Sequence, residues 1–220
     1  MYKRQNINRI EKKFIYNEGD ESFKLFIING MFKETFKSRK VNSIYFDTSV
    51  FTDVWDNING FSNRKKIRIR WYDKINQSEV FIEEKKKISS ITQKTVNKLG
   101  IFKDYKELSE FINNEKFFKQ RLVLNRKLNL KKTIFIQYNR SYFELPNKKL
   151  RLTIDRNLKI FYNYPTNFID LNKIIIELKY NTNQAAYVNN FIFKNNLDNR
   201  NQKFSKYVNS FTELNTSGLI

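Results

Sequence analysis

The 220-residue sequence contains neither cysteine nor histidine. Without cysteine, disulfides and thiolate metal sites are excluded. Without histidine, Ser-His-Asp and Cys-His nucleophile systems, imidazole zinc sites and phosphohistidine intermediates are excluded as well. Any chemistry must therefore depend on carboxylates, Lys, Arg, Tyr and a hard cation held by oxygen ligands.

Glycine and proline are scarce, with five Gly and two Pro in the whole chain. No Gly- or Pro-rich linker divides the sequence, and no low-complexity tract or internal repeat stands out. There is also no signal peptide and no apolar run long enough to cross a bilayer. We therefore predict a single domain over residues 1–220 and a cytoplasmic location.

Basic residues are in large excess: 42 Lys and Arg stand against 22 Asp and Glu, a formal charge of +20. Such an excess destabilises a compact chain unless polyanions or counterions relieve the repulsion. Codon bias would account for general basicity, whereas a polyanionic partner would account for a functional excess. Charge alone does not choose among nucleic acid, an anionic membrane, a nucleotide and polyphosphate.

Period-two alternation of apolar and charged residues dominates the sequence and predicts about eight strands. The predicted strands are residues 8–16, 41–48, 65–73, 80–88, 92–96, 133–145, 149–156 and 173–180. Helical spacing predicts helices at residues 21–32, 105–112, 115–128, 184–195 and 205–214, and Asn59-Gly60 indicates a turn within residues 56–63. These elements predict an α+β fold, in which about eight antiparallel strands form a barrel, or tunnel, with flanking helices.

The polar faces of the predicted strands repeatedly combine bases with an acid, as in Glu83-x-Lys85-x-Lys87, Arg151-x-Thr153-x-Asp155 and Glu177-x-Lys179. On one strand this pattern is typical of a solvated face with exposed ion pairs. Recurrence on about seven strands favours a basic interior instead, but the residues alone leave both arrangements open. In an interior, Arg and Lys would bind phosphate chains and the carboxylates would hold Mg²⁺ or Mn²⁺.

A series of motifs along the chain resembles a known family. They are Arg9-Ile10-Glu11-Lys12-Lys13-Phe14, Ser43-Ile44-Tyr45-Phe46-Asp47-Thr48, Arg64-x-Lys66-x-Arg68-x-Arg70-x-Tyr72, Glu83-x-Lys85-x-Lys87, Tyr138-Asn139-Arg140, Arg151-x-Thr153-x-Asp155, Glu177-x-Lys179 and Ser205-Lys206-Tyr207. In this order they resemble the VTC (vacuolar transporter chaperone) polyphosphate polymerase domain, within the CYTH, or triphosphate tunnel metalloenzyme, superfamily. The resemblance runs from Arg9 to Tyr207 and implies the tunnel fold.

The resemblance also implies roles for individual residues. The catalytic bases that hold the phosphates would be Lys13, Arg68, Arg70, Lys85, Arg140, Arg151 and Lys206. Further substrate contacts would come from Lys66, Lys87, Lys94, Lys179, Tyr45, Tyr72 and Tyr138, with Lys98 competing for the role of Lys94 and Tyr207 a further hydroxyl. Packing at strand ends would explain the tyrosines equally well. Glu177 would bind the metal, with Glu11, Glu83 and Asp155 as second-rank ligands or charge-balancing groups.

The implied activity is transfer of the ATP γ-phosphate to a growing polyphosphate chain, with Mn²⁺ or Mg²⁺ as cofactor and ATP and polyphosphate as partners. Hydrolysis of inorganic or nucleoside triphosphates on the same scaffold is the enzymatic alternative. A non-catalytic module for nucleic acid or another polyanion is the second alternative. It is less favoured, because a phosphate-tracking groove would avoid the acids that share these faces, and no nucleic-acid partner is expected. A membrane partner is left open.

Overall fold

A computed structural model of the chain describes residues 3–6, 9–88, 91–114, 130–147, 150–197 and 203–220. Its strands are β1 Lys3–Asn6, β2 Arg9–Asn17, β3 Lys33–Asp47, β4 Asn63–Tyr72, β5 Val80–Ile88, β6 Ile91–Gly100, β7 Lys131–Glu144, β8 Leu150–Asn163, β9 Asn167–Asp170 and β10 Lys173–Asn181. Its helices are α1 Phe23–Asn29, α2 Thr52–Ile58, α3 Tyr105–Asn113, α4 Ala185–Lys194 and α5 Lys206–Thr216, with 3-10 turns at Ile75–Gln77 and Thr182–Gln184.

The strands form one hydrogen-bonded path in the order β1-β6-β5-β4-β3-β7-β8-β10-β2, and β9 pairs with β8. Each pair whose register is described is antiparallel. The predicted α+β class with an antiparallel sheet is thereby confirmed. The two strands that the sequence did not predict, β1 and β9, have only 4 residues each, too few for alternation to be recognised.

The chain packs as two compact units. Unit 1 comprises Met1–Ile7, Val41–Ile136 and Tyr207–Ile220, and unit 2 comprises Asn8–Lys40 and Gln137–Lys206. Each unit is assembled from separate stretches of sequence, and β3 and β7 each contribute residues to both. The expectation of a single domain over residues 1–220 stays a prediction.

In unit 1, strand β4 has an apolar face and a basic face. On β4, Ile67, Ile69 and Trp71 are buried, and they alternate with Arg68 and Arg70. A fully buried side chain of this size contributes about 1.5–3 kcal/mol relative to an exposed one. This burial holds the strand in a register that places its basic residues together on the opposite face.

Unit 2 has an extensive hydrophobic core between its strands and helices. It includes Phe14 of β2, Ile154 of β8, Ile176 of β10, Phe26 of α1 and Ile192 of α4. Because strand side chains alternate between faces, the neighbours Lys13, Thr153, Asp155 and Glu177 lie on the side away from this core. The core therefore fixes which charged residues of unit 2 are neighbours.

Several predicted boundaries differ from the structure. The predicted strand 41–48 is the second half of β3, which begins at Lys33. The predicted turn at 56–63 overlaps the end of helix α2, which ends at Ile58, so the turn is shorter than predicted, and Gly60 takes a left-handed φ of 73° there. Strands β6 and β8 extend beyond the predicted segments 92–96 and 149–156. The predicted helix 115–128 lies outside the described residues.

Candidate functional site

The charged face of unit 1 is organised around one buried carboxylate. Glu83 on β5 is only 6% exposed. Arg68 donates to Oε2 of Glu83 from Nε at 2.7 Å and from Nη2 at 2.6 Å, while Lys94 Nζ lies 2.7 Å from Oε1. The guanidinium of Arg70 lies 3.8 Å from Oε2. We call Glu83, Arg68, Arg70 and Lys94 the Glu83 cluster.

The electrostatics of the Glu83 cluster favour the ionised carboxylate. Burial alone would raise the pKa of Glu83, but Arg68, Arg70 and Lys94 outweigh it and hold the pKa well below its usual range. Burial also lowers the pKa of Lys94, opposed by the attraction of Glu83. Three cations around a single carboxylate leave the cluster with a net positive charge, which suits an anionic ligand.

Strand β3 supplies neutral partners for the two arginines. Arg68 donates to the Tyr45 hydroxyl at 3.1 Å, and Arg70 Nε donates to Ser43 Oγ at 3.1 Å. The register explains both contacts, because Tyr45 pairs with Arg68 and Ser43 with Arg70 across β3 and β4. Ser43 was not among the predicted site residues, although it shares the Tyr45 face by simple alternation.

Next to the Glu83 cluster, and sharing Lys94 with it, the strand register of unit 1 places basic residues directly opposite one another. Lys66 pairs with Lys85, and Lys85 pairs with Lys94, across β4, β5 and β6. Arg64 likewise pairs with Lys87. All five side chains are partly buried, and like charges directly opposite one another destabilise a sheet. We call these five residues the cation ladder.

The remaining predicted residues of unit 1 differ in whether they contact the Glu83 cluster. Lys94 joins the Glu83 cluster, whereas its competitor Lys98 pairs with the exposed Glu79. Tyr72 ends β4 opposite Val41. Tyr207 is buried, stacks on Tyr45 with ring centroids 4.7 Å apart, and donates to Asp47 Oδ2 at 2.9 Å. Tyr207 thus has a packing role in this unit.

Asp47 was missed as a member of this arrangement. Its carboxylate accepts hydrogen bonds from the backbone N–H groups of Thr48 at 2.7 Å, Asp53 at 3.0 Å and Val54 at 3.2 Å. It therefore satisfies the first N–H groups of α2 while it also accepts from Tyr207. Its place after Ser43 and Tyr45 on one face of β3 was the available signal.

The charged face of unit 2 contains a second buried carboxylate. Asp155 on β8 is 0% exposed. Arg140 on β7 binds Asp155 in a bidentate interaction, in which Nε donates to Oδ1 at 2.6 Å and Nη2 donates to Oδ2 at 2.7 Å. Lys206 Nζ also donates to Oδ2, and both cations lie against the ring of Tyr138, at 5.3 Å for Arg140 and 4.7 Å for Lys206. Burial raises the pKa of Asp155, but Arg140 and Lys206 lower it to about 2.

Glu177 lies beside this group on β10 and is 7% exposed. Its Oε2 is 3.0 Å from Lys179 Nζ and 3.9 Å from Arg140 Nη2. Burial raises the pKa of Glu177, but Lys179, Lys13 and Arg140 outweigh it, so the pKa lies well below the usual range. We call Asp155, Glu177, Arg140, Lys206 and Lys179 the Asp155 cluster.

The remaining predicted residues of unit 2 surround the Asp155 cluster to different extents. Lys13 pairs with Glu177 across β2 and β10, and its Nζ donates to the carbonyl of Phe204 at 2.6 Å. Glu11 and Arg151 both pair with Lys179 in the register but are exposed. Arg151 Nε binds Glu144 at 3.0 Å. Glu11 and Arg151 therefore lie at the solvent-exposed edge of the Asp155 cluster.

The predicted metal ligands differ in whether their carboxylate oxygens already contact cations. Within the described ranges, no group of three or more carboxylates suited to a metal ion occurs. Both oxygens of Glu83 and both of Asp155 already face cations. The contacts of Glu177 given above involve Oε2 alone. Mg²⁺ is often held by one or two carboxylates together with substrate phosphates, so Glu177 fits a single-carboxylate role.

The fold is similar to that of several solved structures with low sequence identity. PH1819 from Pyrococcus horikoshii OT3 has a TM-score of 0.56 and 12% identity, over 93% of this chain and 99% of that protein. HpAC1 from Hippeastrum, which shows a dominant triphosphatase activity, has a TM-score of 0.54 and 14% identity, over 95% and 96% of the two chains. A conserved hypothetical protein from Pyrococcus furiosus has a TM-score of 0.53 and 13% identity, over 91% and 99%.

The sequence profile of the VTC domain matches residues 8–215, and the chain therefore belongs to the VTC domain family. Among curated proteins, none matches the chain in sequence. Within the described residues, no helix has the length and apolar character needed to span a membrane.

Proposed function

We propose that this protein is a polyphosphate polymerase, which transfers the γ-phosphoryl group of ATP to a growing inorganic polyphosphate chain. The observation that carries the proposal is the cation ladder, where Lys66, Lys85 and Lys94 lie opposite one another on three strands. A row of cations on neighbouring strands gives a surface of complementary charge for a polyanion. Membership of the VTC domain family supports the same ligand class.

In the proposed reaction, a terminal oxygen of the polyphosphate chain attacks the γ-phosphorus of ATP. A new P–O bond forms, the bond from the γ-phosphorus to the bridging oxygen breaks, and ADP leaves with that oxygen. A phosphate oxyanion is already a nucleophile at neutral pH, so the absence of histidine is no obstacle. The protein needs only to position the reactants and neutralise charge.

The side chains of each unit suit that task in different ways. Arg140 is held in place by its bidentate pair with Asp155, and Lys206 adds a compact positive charge beside it. In unit 1, Arg68 and Arg70 are held in place by Glu83, Tyr45 and Ser43. Preorganised cations cost no reorganisation as charge develops during transfer.

Glu177 is the residue that would hold Mn²⁺ or Mg²⁺. When bound there, such a cation would neutralise part of the charge of the phosphoryl groups. The lysines beside Glu177 bind and orient the anion whether or not the carboxylate holds a metal. Glu83 and Asp155 instead serve to position the arginines and lysines that surround them.

Hydrolysis is the competing activity, and HpAC1 from Hippeastrum shows that a triphosphatase can have this fold. The purified protein is incubated with ATP, short polyphosphate and Mn²⁺ or Mg²⁺. Long polyphosphate is measured on stained gels, and ADP and free phosphate are measured in solution. We expect ADP and long polymer to form together. Release of phosphate without polymer would identify a triphosphatase and contradict the proposal.

Variants of the Asp155 cluster locate the activity. We expect Arg140→Lys and Glu177→Gln to lower polymer formation by about 100-fold, since the first loses the bidentate fork and the second the charged carboxylate. Arg156→Ala is the matched control, because Arg156 contacts Glu21 and the ring of Phe23 instead. Circular dichroism checks that each variant is folded. Full activity in both cluster variants would contradict the assignment.

A further inference from the structure

Thr153 lies beside the Asp155 cluster without belonging to any ion pair. It is on β8, two residues before Asp155, and its register partner on β10 is Glu177. Glu177 in turn pairs with Lys13 on β2. A single row across three adjacent strands therefore contains a lysine, a carboxylate and a hydroxyl. The side chain of Thr153 is only 7% exposed.

The hydroxyl of Thr153 is an unpaired polar group. Its Oγ1 is buried and has no hydrogen-bond partner in the part of the chain that the structure describes. Its charged neighbours differ from it, because Asp155 binds Arg140 and Glu177 binds Lys179. A buried hydroxyl without a partner lowers stability. Valine has nearly the same shape and would fill this position without that cost.

We propose that Thr153 Oγ1 donates a hydrogen bond to a phosphoryl oxygen of the bound triphosphate or polyphosphate chain. The inference rests on the proposed function and adds a substrate contact to it. The cations around Thr153 attract an anion into this row, where the hydroxyl would find the acceptor that the protein does not provide. Lysine supplies charge without direction, whereas a fixed hydroxyl defines where one phosphoryl oxygen lies.

Thr153→Val should lower the affinity for tripolyphosphate without lowering the stability of the free protein. Affinity for tripolyphosphate, measured by calorimetry, should fall about 10- to 100-fold, as expected for the loss of a hydrogen bond to a charged group. The thermal midpoint of the free protein should stay unchanged or rise by about 2–4 °C, because an unpaired buried hydroxyl has been removed. Thr153→Ser keeps the hydroxyl and should retain most of the affinity.

Thr133→Val is the control for stability. Thr133 Oγ1 donates to the carbonyl of Tyr45 at 3.0 Å, so its loss should lower the thermal midpoint where the loss at Thr153 does not. A lower midpoint with unchanged tripolyphosphate affinity in Thr153→Val would give Thr153 a structural role and overturn the inference. A wild-type protein that binds neither tripolyphosphate nor ATP would overturn the proposed function together with it.

Discussion

At the scale of single residues, the buried carboxylates divide by what surrounds them. Glu83, Asp155 and Glu177 are each stabilised in the ionised form by several cations. Asp53 is similarly buried, but the charge that affects its carboxyl most is that of Asp47, and one of its oxygens has no partner among the described residues. Burial, followed by repulsion from Asp47, raises the pKa of Asp53 to about 7.

This raised pKa predicts a particular pH dependence of stability. Native Asp53 keeps its proton up to about pH 7, whereas an unfolded Asp releases it near 3.8. The folded state therefore binds more protons within this window, and stability should fall as the pH rises through it. Asp53→Asn should be more stable than the wild type by about 2–4 kcal/mol above pH 7, and equal to it near pH 4.

Urea unfolding at pH 5 and pH 8 measures the difference. The cation-paired carboxylates do not interfere in this range, because the pKa of each is lowered and their stabilisation is lost only in stronger acid. Equal slopes of stability against pH in the wild type and Asp53→Asn would show that Asp53 is ionised in the native protein.

At the scale of secondary structure elements, the cation ladder is the feature with measurable consequences. Lys85 lies between Lys66 and Lys94 in the register. Replacing it with methionine removes one positive charge from the middle of the ladder and should weaken tripolyphosphate binding, as calorimetry would measure. The difference in affinity between the two proteins should shrink in concentrated salt, which screens the attraction.

Lys86→Met is the matched control for this prediction. Lys86 is the next residue on β5, faces the opposite side of the sheet, and lies 3.3 Å from Glu84. Its loss should leave tripolyphosphate affinity unchanged. Equal effects of the two substitutions on binding would mean that the ladder does not form a ligand face.

The sequence was most informative where alternation was strong. Alternation predicted that Arg68 and Arg70 share one face of β4, and that Glu83 and Lys85 share one face of β5. Which residues meet across strands could not be predicted, since it depends on hairpin registers. The first half of β3 was missed because residues 33–38 are exposed and have no buried face to impose alternation.

Short helices and individual contacts were also beyond the sequence. Helix α2 has only 7 residues, and the carboxylate that caps it is Asp47, outside the helix. The residue at the N-cap of α2 therefore gave no capping signal from which the helix could be predicted. By contrast, α3 was predicted nearly to the residue from helical spacing, and the structure shows that Asp104 caps it by accepting from the Glu107 N–H at 2.9 Å.

At the scale of the whole molecule, the charge of +20 predicts stabilisation by polyanions. A ligand that binds only the folded state at about 100 times its Kd adds about 2.7 kcal/mol. Saturating tripolyphosphate should therefore raise the thermal midpoint by about 5–10 °C. The measurement is a thermal scan, with sodium chloride at matched ionic strength as the control.

A single-stranded DNA oligonucleotide distinguishes the remaining alternative. Specific recognition of linear phosphates requires a smaller midpoint shift with DNA than with tripolyphosphate at equal phosphate concentration. Equal shifts would favour a general polyanion module, whose affinity falls steeply with salt. That result would count against catalysis by the Glu83 cluster and the Asp155 cluster.

The hydrogen bond from Tyr207 to Asp47 also has a consequence for synthesis in the cell. The two residues are 160 positions apart in the chain, yet Asp47 also caps the helix that follows it. A nascent chain on the ribosome exposes residue 47 long before residue 207 has been translated. Until then the buried carboxylate lacks its tyrosine partner, so the early part of unit 1 must wait for the late part before its packing is complete.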